Sequence, residues 1–190
     1  MSQPFDLLQK GDGLLIVDVQ NDFCPGGALP ITDGDAVVPV LNQWTEAAAR
    51  AGVPVYASRD WHPLRHLSFR EAGGPWPPHC LQDSAGAAFH PVLRLPADVV
   101  KIAKGVRFDK DQNSAFDDTG LARRLNLDGI RRLWVGGLAA DVCVLATVLD
   151  ARKAGFNVTV IAAATRPITP MRGREANAAM RKAGALILEG

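Results

Sequence analysis

The side chains in this sequence that could do chemistry stand just past short apolar runs. Asp18 lies within LLIVDVQNDF, Asp60 and His62 follow VPVYAS, Lys104 follows VVKIA, and Cys143 follows GGLAAD. A carboxylate within a buried run is costly unless it is paired, hydrogen-bonded or protonated. Desolvation also raises its pKa toward the range where it can shuttle protons. The plainer reading of Asp18 is a structural aspartate tying down backbone amides. Cys143 alone would read as a small buried hydrophobe. Placed in the first turn of a helix capped by Asp141, it would instead meet free N–H groups and a helix dipole that favour thiolate. Lys104, which precedes Gly105, reads alone as a lysine snorkelling from a strand end. From there its ammonium could reach the same rim and favour both an ionised Asp18 and a Cys143 thiolate.

Asp60-Trp61-His62 is more specific, because residues two apart in extended backbone point the same way and present a carboxylate and an imidazole together. His66 and His79 follow closely, so three of the four histidines fall between positions 62 and 79. Oxygen and nitrogen donors of this kind suit zinc, iron or manganese, and three protein ligands leave positions open for water or substrate. Cys80, beside His79, is expected to point elsewhere.

Elements that could position these groups are legible in the pattern. Apolar runs at 14–19, 53–58, 99–102, 133–135, 158–162 and 185–188 read as about six buried strands. Stretches at 36–51, 141–154 and 171–183, rich in alanine, leucine or arginine, read as helices. Strand and helix alternate, which favours an α/β fold: a mostly parallel central sheet with helices on both faces. In such sheets ligands sit beyond the carboxyl ends of the strands, where the reactive residues fall. The segment 61–96, crowded with proline, glycine and histidine, breaks the rhythm as a long functional excursion. No repeat or linker divides residues 1–190, which are read as one domain with an N-terminal extension over 1–12.

Composition narrows the function classes. With 21 basic and 20 acidic residues, no strong field recruits nucleic acid or an anionic membrane, which leaves a small-molecule partner. The N-terminus lacks a basic region followed by a long apolar one, and no apolar run could span a bilayer, so a cytoplasmic location is expected. Three cysteines, Cys24, Cys80 and Cys143, without a CxxC pair argue against a disulfide framework.

Taken together, VDVQNDFCPGGALP, SRDWHP followed by His66, PWPPHC, KG before NSAF, and GGLAADVCV resemble the nicotinamidase/pyrazinamidase family, within the isochorismatase-like hydrolases. The resemblance runs from about Leu14 to the C-terminal AGA and keeps the family's motif order. It implies an isochorismatase-like three-layer sandwich and a triad of Asp18, Lys104 and Cys143. It further implies one divalent metal, zinc first and iron or manganese as alternatives, held by Asp60, His62 and His79 with His66 as an additional or water-mediated ligand. In the family the metal binds the pyridine nitrogen and orients the substrate. Phe23 and Trp76 match aromatic positions that flank the ring, with Leu138 and Ala139 also at the substrate. The resemblance implies a cis peptide between Leu138 and Ala139 and an oxyanion hole made by the amides of Ala139 and Cys143. The implied reaction is hydrolysis of nicotinamide, and of pyrazinamide, to the acid and ammonia through a cysteine thioester, in NAD salvage; a homo-oligomer is compatible with it.

Two departures bear on substrate range: Asn113 stands where many members have an aromatic residue before SAF, and Ala140 where threonine is frequent. They keep a related cysteine hydrolase of another amide or a carbamoyl compound as the nearest rival. A hydrolase whose metal activates water, with Cys143 as mere core, is a second rival. A nucleotide-binding module is disfavoured because no strand is followed by GxGxxG.

Overall fold

The computed structural model describes residues 4–189; residues 1–3 of the expected N-terminal extension lie outside the described residues. Six strands form one sheet: β1 (Asp12–Val17), β2 (Val55–Asp60), β3 (Val100–Lys104), β4 (Arg132–Leu138), β5 (Asn157–Arg166) and β6 (Leu186–Leu188). Their order is β3-β2-β1-β4-β5-β6, and every pairing is parallel. The helices are α1 (Pro4–Leu7), α2 (Val37–Ala51), α3 (Leu121–Leu127), α4 (Cys143–Lys153) and α5 (Pro170–Lys182).

Period-two alternation divides the core into two layers. In β1, Leu14 and Ile16 face α2 and pack with Val37, Leu41 and Trp44, while Leu15 and Val17 face the other helices and pack with Leu121, Val144 and Met180. Both faces of the sheet are therefore covered, which is why its central strands read as continuous apolar runs. Helix α2 ends where Gly52 enters the left-handed region at φ 64° and its N–H closes onto Ala48 and Ala49 carbonyls. Helix α5 begins with Pro170 after Thr169, whose hydroxyl accepts from the Arg172 N–H. Helix α3 was not expected from the sequence, since LARRLNL gives barely two turns of periodicity.

The order of the strands reverses at β1 and β4, and this switch point opens a crevice beyond their carboxyl ends. β4 approaches β1 so closely that a Cβ on Gly137 would stand 2.0 Å from the Val17 carbonyl oxygen. Glycine is required there on space and on its φ of 130° alike. At the opposite end of the sheet, buried Asp12 accepts two bonds from Arg132, at 2.8 and 2.6 Å, and one from the Trp134 indole. Among the described residues no helix is long and apolar enough to cross a membrane.

Candidate active site

Asp18 is the first residue beyond β1, and its φ of 49° turns the chain out of the sheet. An aspartate tolerates that left-handed backbone better than a branched residue would. Lys104 closes β3, and Cys143 opens α4 just past β4. Three separate strand ends thus converge. The Lys104 ammonium lies 2.7 Å from Asp18 Oδ2, 2.6 Å from Asp60 Oδ1 and 3.4 Å from Cys143 Sγ. Asp18 and Lys104 are both 0% exposed, and the Ser58 hydroxyl donates to Asp18 Oδ1 at 2.7 Å.

The two carboxylates share one ammonium but are driven apart. Burial pushes Asp18 above the ordinary carboxylate range, and the attraction of Lys104 only partly offsets it. Asp60 is also buried, yet Lys104 and His62 outweigh that and hold it well below the ordinary range. Lys104 itself is pushed up, because the two carboxylates more than compensate for its burial. Two carboxyls with opposed shifts suit two jobs: Asp60 stays ionised while Asp18 can take and return a proton. Lys104 does pull the Cys143 thiol toward thiolate, but that pull does not prevail. Burial, reinforced by Asp18 and Asp60, raises the thiol well above its usual range against the pull of Lys104. A neutral thiol therefore needs a base, and Asp18 and Cys143 offer donor atoms within 4.8 Å of each other.

The expected cap by Asp141 is also corrected. Val142 precedes α4 without a side-chain cap, because the Asp141 carboxylate is taken by the Ile168 N–H at 2.8 Å and by Arg172 at 2.7 Å. The Cys143 N–H, first in α4, has no intrahelical acceptor. The Leu138–Ala139 peptide is cis, and the N–H groups of Val142 and Val144 both turn onto the Ala139 carbonyl.

Beside the triad, Asp60 Oδ2 faces His62 Nε2 at 3.6 Å and His79 Nε2 at 3.9 Å. The other ring nitrogens are held by backbone carbonyls, His62 Nδ1 by Gly105 at 2.9 Å and His79 Nδ1 by Pro77 at 2.8 Å. Such outer bonds fix the tautomer that leaves Nε2 free to ligate, so the three donors fit a divalent ion. Burial also lowers the His79 pKa, favouring the neutral ring that a metal needs. His66 is buried against His62, with ring centroids 4.3 Å apart, and among the described residues its Nε2 has no well-formed hydrogen bond. Cys80 is buried but belongs to neither donor group; its N–H donates to Asp22.

A narrow cleft opens over Cys143, Asp60 and His79. Phe23 and Trp76 line it with Ala139. The Leu138 side chain does not line it but is buried in the core on the α2 face. Asn113 is also outside the lining and bonds weakly to Asp111, and Ala140 gives its N–H to the Arg166 carbonyl. The sequence did not point to the apolar walls from Leu29, Pro30, Ile31, Val142 and Ile168, which carry no periodic signal.

Gln20 was also missed. Its buried amide pairs with both the N–H and the carbonyl of Asp60, each at 2.8 Å, and donates to the Ala87 carbonyl at 2.9 Å. The clue was available: an amide two residues past Asp18 in a buried run must find partners.

The profile of the Isochorismatase domain matches residues 12–190. The chain is 39% identical over 197 residues to the nicotinamidase of Escherichia coli K12, covering 92% of each chain. The crystal structure of a pyrazinamidase of Pyrococcus horikoshii in complex with zinc is similar at TM-score 0.91 and 42% identity, covering 95% of this chain and 99% of that one. PnC1 from L. infantum, in complex with nicotinate, is similar at TM-score 0.86 and 40% identity, over 94% and 92% of the two chains.

Proposed function

This chain belongs to the isochorismatase family, and from that premise we propose that it hydrolyses nicotinamide, and pyrazinamide alongside it, through a thioester on Cys143. The observation that carries the reading is the meeting of buried Asp18 and Lys104 with Cys143, whose side chain lines an aromatic-walled cleft. Phe23 and Trp76 hold a flat ring in place, with the carboxamide carbon over the Cys143 sulfur. Asp18 takes the thiol proton, and the sulfur attacks that carbon. The N–H groups of Ala139 and Cys143 receive the oxyanion as it forms. Asp18 passes its proton to the nitrogen, ammonia leaves, and the acyl group stays on sulfur as a thioester. Water then gives a proton to Asp18 and attacks the thioester. The carboxylic acid departs, and the proton returns to the sulfur. Lys104 keeps the two carboxylates in register and balances their charge throughout.

Asp60, His62 and His79 would hold one divalent ion, zinc first, with His66 as a further or water-mediated ligand. When bound, that ion supplies a Lewis acid for the ring nitrogen of a pyridine or pyrazine and so orients it. The product acid returns the ring to NAD salvage. With Asn113 away from the cleft lining, the feature that favoured a carbamoyl substrate loses its force. Ammonia release from nicotinamide, pyrazinamide and a ureido compound tests this. Turnover of the two ring amides is expected; turnover of the ureido compound alone would sink the assignment.

A further inference from the structure

Asp18, Asp60 and Cys143 form a second group of potential metal ligands, with one donor atom from each lying within 4.8 Å of the others. With bonds of ~2.0 to 2.3 Å, one zinc ion could nearly span them, and a thiolate is the softest and most zinc-seeking ligand in the site. The Lys104 ammonium stands between the same three atoms, at 2.7, 2.6 and 3.4 Å. Asp60 belongs to both groups: Oδ1 faces Lys104, and Oδ2 faces His62 and His79. An ion delivered to the histidines is thus one carboxylate away from the sulfur.

We propose that Lys104 acts as a fixed internal cation that occupies the place where a metal would bridge the nucleophile, and so keeps Cys143 free of the metal beside it. This rests on the reading of Cys143 as nucleophile. The step it prevents is simple ligand exchange: Zn²⁺ binds sulfur, the S–H bond breaks, and the proton leaves to solvent, with nothing oxidised or reduced. Zinc-bound sulfur would no longer be available to attack a carboxamide. A lysine suits this role because its ammonium supplies charge and three hydrogen bonds but has no free lone pair or vacant orbital with which to hold a sulfur. Without it, Asp18 would lose its counter-charge and Asp60 one of its two cationic partners, and a second divalent ion is the species best able to replace it.

The test uses Lys104→Ala and Lys104→Gln beside wild type, each titrated with zinc and with cadmium. Bound metal is measured by equilibrium dialysis, and thiolate ligation by the ultraviolet cadmium–sulfur charge-transfer band. Wild type is expected to bind a single equivalent without the band. Both variants should bind a second equivalent with the band, and the band should vanish in Lys104→Ala/Cys143→Ser. In wild type alone, excess zinc beyond the first equivalent should leave Cys143 alkylation by iodoacetamide unchanged; in the variants it should slow it by about tenfold or more. The wild-type measurement stands even if both variants fail to fold. The proposal is overturned by folded variants that bind only one equivalent without the band, or by wild-type Cys143 blocked when a second equivalent is added. None of these readouts requires turnover, so failure of the guard role is distinguishable from failure of the nucleophile assignment.

Discussion

Replacing Gln20 with leucine tests whether the position of Asp60 is set from outside the metal site. The Gln20 amide continues the pairing of β1 with β2 past the end of β1, holding the Asp60 peptide by both its N–H and its carbonyl. Its third bond, to the Ala87 carbonyl, ties this point to the excursion that carries the histidines. Gln20→Leu removes all three bonds at nearly constant volume. At about 1 to 3 kcal/mol for each backbone group left unpaired, the loss of stability should be at least about 3 kcal/mol. Asp60 faces His62, His79 and Lys104 at once, so its drift should also weaken zinc binding by about 10- to 100-fold, the usual effect of removing an outer-shell partner. Urea unfolding of the metal-free protein reads the first quantity, and competition with a chromophoric chelator at a temperature where both proteins are folded reads the second. A purely structural glutamine would lower stability and leave zinc affinity alone. Wild-type affinity in a folded Gln20→Leu protein would show that Gln20 does not set the position of Asp60 for the metal.

Asp18→Asn should lower kcat by about 10²- to 10⁴-fold while metal content stays at the wild-type level. Because burial raises the Asp18 pKa, wild-type kcat/KM should rise with pH as Asp18 loses its proton, with a midpoint above the ordinary carboxylate range, and the residual Asn activity should lack that limb. Gly105→Ala would place a Cβ 2.4 Å from His62 Cε1 at a backbone φ of +68°, so the ring must move. Calorimetric titration should show zinc affinity reduced by about tenfold or more. Asp141→Ala removes the acceptor that holds Ile168, a cleft wall, and steady-state kinetics should show KM rising more than kcat falls.

The chemistry was more legible in the sequence than its surroundings. Asp18, Asp60, His62, Lys104 and Cys143 could be picked out because buried strands announce themselves as apolar runs, and polar residues at their carboxyl ends stand out against them. The fold followed from the same runs. What the sequence concealed depended on partners distant along the chain. Asp141 looks like a helix cap locally, but Ile168 and Arg172 claim its carboxylate. The Cys143 thiol looks activated by its helix and by Lys104, yet burial and two carboxylates prevail. Leu138 sits in the motif that turns toward the cleft, while its side chain goes to the core. Helix α3 is too short to display a period, and the wall from Leu29 to Ile31 has no regular structure to display one.

In the proposed reaction sulfur, and not a metal-activated water, attacks the amide. Ammonia release from nicotinamide should be measured for wild type and Cys143→Ala, with bound metal quantified in each. Rapid release by wild type, none above background by the alanine protein, and equal metal in both are expected. A Cys143→Ala protein that retains its metal and still releases ammonia rapidly would contradict attack by sulfur.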